Sequence, residues 1–330
     1  MTRKGTALGP GGRLAPLCGL LLLNKKSSIT SFDSLLEVKR AFATGKVGHT
    51  GTLDKFATGL LLVLVGRGVK LTPWFSGCDK EYIGKISFGA ETDTLDPEGA
   101  VIAQAPVPSR EEVEEVLPAF RGKILQAPPA YSAIHIEGRR AHELTREGKT
   151  PEMKKRPVTI HNLEILSWTP PLAEIKVRCS AGTYIRSLAR DIALAAGSRA
   201  HLSSLTRTRV GAFRLEDAVD AQEGGEKLVQ ALRPLDMKLF RDLSLPCFLI
   251  DDRAAEGFRH GRPLEDLLAQ AAGGDEGGLS GFHAGESETP AAGNEVLTAG
   301  VFRKDSSDKL LGVVERRNNR WSYAHVFADN

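Results

Sequence analysis

A chain of 330 residues, 41% of them hydrophobic and 26% charged, can bury a sizeable core and has room for two domains. This composition describes a folded globular protein and argues against a disordered or collagen-like chain, and no apolar run approaches the length of a bilayer span. The net charge of +3 names no partner, but residues 271–298 carry five acids and no Lys or Arg, so the remaining body is more basic than the total and favours a polyanionic ligand.

In chain order, residues 1–13, rich in glycine, read as a disordered lead. The segment 14–23 has the apolar look of a signal peptide, yet the quartet 20–23 follows Cys18 instead of preceding it, and no small-residue cleavage site comes after. That quartet reads as a buried strand, and the protein is expected to be cytoplasmic. Phe32, Leu35, Leu36 and Phe42 suggest a short amphipathic helix. Alternation over 81–88 predicts a strand. Residues 92–99 form a turn whose acids do not follow a calcium-loop order. Ser109 with Glu112 makes a capping box that opens a helix through Leu117. Strands are expected over 163–168 and 175–179, the latter with Ile175, Val177 and Cys179 on one face. Ile185, Leu188, Ala189, Ile192 and Ala196 recur at helical spacing, and Gly197 sits where a C-terminal cap belongs. Short strands over 247–250, 310–314 and 321–327 suggest a compact C-terminal β module interrupted by a flexible acidic insertion, 271–298. Cys18, Cys78, Cys179 and Cys247 form no C-x-x-C pair, which argues against a disulfide framework or a zinc site.

Folding alone explains residues 48–59 least well. They read Gly48-His49-Thr50-Gly51-Thr52-Leu53-Asp54-Lys55-Phe56-Ala57-Thr58-Gly59. The glycines permit tight turns and close approach of a ligand. Asp54 is the only acid in the loop and the best candidate for a working carboxylate, although an aspartate there is ordinarily a turn or cap residue. No Gly-Lys-Ser/Thr follows, so this is not a P-loop.

The full string resembles the signature loop of the TruB family of tRNA pseudouridine synthases. The family's Pro-Leu after the aspartate is replaced here by Lys55-Phe56. Further segments match in the family's order: Lys80-Glu81-Tyr82, then Gln126 through Ala133 with its Pro128-Pro129-Ala130-Tyr131-Ser132. After these come Gly182-Thr183-Tyr184-Ile185-Arg186, and Ala200-His201-Leu202 with Leu205 and Arg207. In the last block Thr206 replaces one arginine of the family's usual pair.

The resemblance implies an α+β fold. Its parts would be a catalytic domain with a mixed, largely antiparallel sheet over 14–240 and a small PUA-like RNA-binding β domain over 241–330. It implies isomerisation of uridine 55 in the tRNA T-loop to pseudouridine by base flipping, with Asp54 as nucleophile, Arg186 as its ionic partner and Tyr184 moving the proton at C5. Tyr82 is then expected to stack on the extruded base. His49, Gly51, Thr52 and Arg207 are expected at the RNA. It also implies no metal, no cofactor, no obligatory protein partner and a monomer. Arg139, Arg140, Lys154, Lys155, Arg156, Arg199, Arg207, Arg209 and Arg214 are candidate phosphate contacts. A non-catalytic RNA chaperone and a guide-RNA-dependent enzyme are the rival readings.

Overall fold

The computed structural model describes residues 18–132, 135–136, 139–140, 153–271 and 296–327. The lead 1–13, the side chains of Arg139 and Arg140, and residues 272–295 of the acidic insertion lie outside the described residues.

A ten-stranded sheet forms the body. Its first strands are β1 (Gly19–Lys25), β2 (Val47–His49), β3 (Thr58–Val65), β4 (Lys80–Phe88) and β5 (Gly122–Gln126). They are followed by β6 (Arg156–Thr169), β7 (Leu172–Cys179), β8 (Ala200–Val210), β9 (Phe213–Arg214) and β10 (Val219–Asp220). The spatial order is β10-β1-β3-β8-β4-β7-β6-β5, with β2 on β3 and β9 on β8. Most neighbours are antiparallel, and β1–β10 and β3–β8 are parallel, so the sheet is mixed.

β1 and β3 are apolar nearly throughout because both of their faces are covered. Leu21, Leu23, Leu61, Val63 and Val65 pack with Leu35, Val38 and Phe42 around helix α1 (Leu35–Ala41). The alternate residues Leu20, Leu22, Leu60, Leu62 and Leu64 pack with Phe240, Phe302, Val313 and Phe327. Those last three belong to a second sheet of four strands, β11 (Cys247–Ile250), β12 (Leu297–Arg303), β13 (Ser306–Arg317) and β14 (Arg320–Val326), together with the residue that follows it. One hydrophobic core is thus shared by the two sheets, and Trp74 Nε1 donates across to Thr298 Oγ1 at 3.2 Å. The fold is α+β with a small C-terminal sheet unit.

The structure corrects the C-terminal edge of the expected insertion. Leu297 and Thr298 are strand residues paired with Arg316 and Glu315, and Thr298 is buried. Strand pairing satisfies their backbone groups, which a solvated linker would leave to water. Ala271 likewise ends a helix, Leu264–Ala271, that buries Leu264, Leu267 and Leu268. Among the described residues no helix is long and apolar enough to cross a membrane.

Helix α2 (Arg110–Val116) opens on the Ser109–Glu112 capping box, with both reciprocal hydrogen bonds made. Helix α3 (Ile185–Ala195) lies over the β4–β7–β8 face and buries Leu188, Ala189, Ile192 and Ala193 in the same cluster as Ile86, Val177 and Leu202. Its end follows from Gly197, whose φ of 70° lets Gly197 N–H reach Leu194 O and Ser198 N–H reach Ala193 O.

Candidate active site

The loop that leaves β2 and enters β3 is fastened through its carbonyls. Arg207 on β8 donates from Nη2 to Gly51 O at 3.0 Å and from Nε to Leu60 O at 2.7 Å. Ser31 donates to Leu53 O and accepts from Leu53 N–H, at 2.9 and 2.8 Å. Ser27 Oγ donates to Phe56 O, and Ser28 N–H donates to Lys55 O. Lys25 Nζ, in a residue only 1% exposed, donates to Ala57 O at 2.6 Å and to Lys55 O at 3.2 Å. Burial pulls the Lys25 ammonium down to about 8, against the stabilising charge of Asp54. These bonds fasten the loop at Lys55, Phe56 and Ala57 without a proline there.

Gly59 is the one position in the loop that only glycine fits. Its φ is 104°, and a Cβ there would lie 2.4 Å from Arg207 O, where β3 and β8 run side by side. Gly59→Ala is therefore expected to cost about 2–4 kcal/mol through backbone strain and a clash with an immovable carbonyl. A melting temperature equal to that of the unaltered protein would show that the two strands can separate here at no cost.

Asp54 sits where this fastened loop meets the start of α3. Arg186, 4% exposed, places Nε 2.9 Å from Asp54 Oδ2 and Nη2 3.0 Å from Asp54 Oδ1. Only the Nη2 contact has hydrogen-bond direction; the Nε contact is ionic and off-line. The remaining nitrogens are also used. Nη1 donates to Thr94 O at 2.7 Å and to Asp96 Oδ2 at 3.2 Å, and Nη2 also donates to Tyr131 O at 3.0 Å. Burial pushes the Asp54 carboxyl up, Arg186 pulls it down, Asp96 pushes it up again and Lys25 pulls it down. The net direction is upward, so the arrangement holds a carboxylate that is less comfortable as an anion than one in water.

Asp96 is a site residue that the sequence does not single out, since residues 92–99 read as a plain turn. The turn hands a nearly buried carboxylate to Arg186. Thr94 Oγ1 and Glu98 N–H donate to Asp96 Oδ1, Thr92 Oγ1 donates to Asp96 O, and Leu202 N–H holds the turn to β8 through Leu95 O. Lys55 and Glu98, 3.4 Å apart, tie the same turn to the loop that carries Asp54. No local pattern announces this role, because an Asp-Pro-Glu-Gly string serves any turn. The signal is indirect: a buried guanidinium with one counter-charge is costly, which calls for a second acid. Asp96→Asn is expected to slow turnover about tenfold by loosening Arg186, with substrate affinity unchanged. A turnover rate identical to that of the unaltered protein would remove Asp96 from the site.

The other expected residues gather at the same place with different exposure. Tyr82 on β4 is 8% exposed, packed in the cluster that includes Leu53, Ala57 and Ile185, with its phenol beside Arg207. Tyr184, half-buried, is the residue just before α3, and its phenol meets the Ser132 hydroxyl. Burial and then Asp54 push the Tyr184 phenol up, which favours its protonated form. His49 is half-buried; burial and Arg207 pull its imidazole down, and its Nδ1 is buried with no hydrogen-bond partner among the described residues. Thr52 is exposed at the loop tip, beside half-buried Gly51.

Arg207 departs from the expected phosphate contact. At 2% exposure, with its guanidinium spent on Gly51 and Leu60, it supports the loop from below. Lys154, Lys155, Arg156 and Arg214 are exposed, whereas Arg199 faces Glu91 and Arg209 bonds Gly211 O. Among the described residues no three His, Cys, Asp or Glu side chains gather in a metal-ligating group.

Comparison with known proteins places this geometry. Residues 39–185 match the model of the TruB family pseudouridylate synthase N-terminal domain. A tRNA pseudouridine synthase B of Borreliella burgdorferi is 48% identical over 203 residues, 61% of this chain and 72% of that protein. Its namesake from Francisella tularensis is 45% identical over 205 residues, 61% of this chain and 68% of that protein. Among solved structures, a chain of a Cbf5-Nop10-Gar1 complex superposes with a TM-score of 0.66 at 20% identity, covering 99% of this chain and 91% of its own. A chain of an H/ACA RNP bound to a substrate RNA containing 2′-deoxyuridine gives 0.64 at 19% identity, covering 100% and 92%. These two share the fold across both sheets. With nearly half its residues identical over most of the length of such relatives, the chain belongs to the TruB family of pseudouridylate synthases.

Proposed function

We propose that this protein converts uridine 55 in the T-loop of tRNA to pseudouridine, with Asp54 as the nucleophile. Relatives named tRNA pseudouridine synthase B support the substrate. The observation that carries the chemistry is the Asp54 carboxylate, 36% exposed, backed by a guanidinium that is almost wholly buried and pinned on three other oxygens. An arginine so fixed is not a surface charge. It holds the anion at one place and one angle.

The isomerisation breaks an N–C glycosidic bond and forms a C–C bond, with no redox change and no water consumed. Asp54 as an anion attacks, or stabilises charge at, the sugar or the uracil ring. Such a base must first leave the stack, and an aromatic partner such as Tyr82 is worth about 1–3 kcal/mol toward that cost. Tyr184, protonated and next to Ser132, takes the C5 proton only as it gives its own phenolic proton to a neighbouring acceptor, so it serves as a relay and not as a free base. His49, with its unpartnered Nδ1, and Thr52 at the tip face the RNA that the flipped uridine leaves. The exposed cations Lys154, Lys155, Arg156 and Arg214 are offered to phosphates.

On this reading residues 14–240 are the catalytic domain and 241–330 a PUA-like domain that adds RNA contact. The enzyme works in the cytoplasm as a monomer, without cofactor or protein partner. The purified protein alone, given unmodified tRNA transcript, should form pseudouridine at position 55 and nowhere else in the T-arm. Tight binding without product would favour a chaperone, and product only with an added guide RNA or protein would overturn the stand-alone assignment.

A further inference from the structure

Helix α3 begins at Tyr184, a poor residue for that place, since its side chain caps nothing. The missing support comes from another strand. Gln126, the last residue of β5 and 2% exposed, donates from Nε2 to Tyr184 O at 3.0 Å and accepts Tyr184 N–H at Oε1 at 2.8 Å. The side-chain amide thereby pairs with both backbone groups of one residue, as a neighbouring strand would. Its orientation is fixed by chemistry, because an N–H needs an oxygen and a carbonyl needs an NH₂. Five residues on, Tyr131 O accepts from Arg186 Nη2. The segment 126–131 thus holds the helix start at two points two residues apart, one below the phenol and one below the guanidinium.

We infer that Gln126 is a positioning residue for the reaction: its amide sets where Tyr184 and Arg186 stand relative to Asp54. This rests on the function proposed above. Hydrophobic packing anchors α3 along Ile185, Leu188, Ala189 and Ile192, but apolar contact is non-directional and does not orient the backbone that enters the helix. Tyr184 has an extended backbone, φ −102° and ψ 109°, with no intrahelical bond from its own N–H. Leu188 N–H ties its carbonyl into the first turn, while Gln126 Oε1 takes its N–H and Gln126 Nε2 shares the carbonyl. A shift of about 1 Å in reacting groups commonly costs a hundredfold in rate.

Gln126→Met removes both hydrogen bonds at similar volume, and Gln126→Glu keeps the acceptor while placing an anion against Tyr184 O. The readouts are single-turnover rate at saturating tRNA, tRNA Kd and melting temperature. The unaltered protein is assayed first; if it forms no pseudouridine, the proposed function fails and not this inference. Gln126→Met is expected to turn over about 10- to 100-fold more slowly, with Kd within about threefold and the fold intact at the assay temperature. Gln126→Glu should be slow at pH 8 and recover as the pH falls. Burial favours the neutral carboxyl, which can then donate to Tyr184 O. Expressed as the ratio of variant to unaltered rate at each pH, the protonation of Asp54 cancels, and the ratio should rise at least about fivefold between pH 8 and pH 6. Gln126→Met at the unaltered rate, or a loss residing wholly in Kd, would overturn the inference. So would a pH-independent ratio for Gln126→Glu in a protein that remains folded.

Discussion

Asp54→Asn is expected to abolish pseudouridine formation, by at least about 10⁴-fold, while tRNA still binds. The amide fills the same volume and can still accept from Arg186 Nη2, now at 3.0 Å from a carboxylate oxygen, so the loop should keep its place. Binding depends on phosphate contacts and stacking, to which the carboxylate contributes nothing favourable. Single-turnover product formation and a filter-binding Kd, measured on the same preparation, separate the two effects. Pseudouridine formation by Asp54→Asn at a readily measured rate would falsify the nucleophile assignment.

Arg186→Lys keeps the charge and is nevertheless expected to slow the reaction about a hundredfold, roughly 2.7 kcal/mol of barrier. One ammonium cannot reach Asp54, Asp96, Thr94 O and Tyr131 O together, as the guanidinium does. Carbonyls buried without their donor add a cost in stability as well. The pH profile distinguishes loss of the clamp from general loosening. Asp54 already stands above the ordinary carboxylate range, so the acid limb of the unaltered enzyme should too. Arg186 is the strongest influence holding it down, so weakening the pair should move that limb further up in pH. The fold responds with the opposite sign. A carboxyl whose folded pKa is raised costs stability where it is ionised, and that cost is relieved as the pH falls through the folded value. Activity and stability should therefore diverge across the same window. A lysine variant with the unaltered rate and acid limb would dispose of the pairing.

Short-range physics makes much of this molecule legible in its sequence. The strand over 20–23, the alternation leading into Tyr82, the capping box at Ser109 and the helix from Ile185 to its glycine stop are each set by neighbours within a turn or a pleat. The signature loop, read with the later motifs, names the family and gathers Asp54, Tyr82, Tyr184 and Arg186 as one group. Residues with opposing uses in local patterns are different. Asp96 reads as a turn residue and Gln126 only as the first residue of a family segment, and their partners lie 90 and 58 positions away. Arg207 reads as a contact to RNA, yet the parallel approach of β3 buries it beneath the loop. The shared core is of the same kind, since the two faces of β1 are equally apolar and nothing local says which sheet covers which. What the sequence by itself determined was the family, the side chains that gather around Asp54 and the elements that carry them. Tertiary structure alone decided which polar groups support them, because a buried charge or amide is satisfied by whatever the fold brings within about 3 Å, at any distance along the chain.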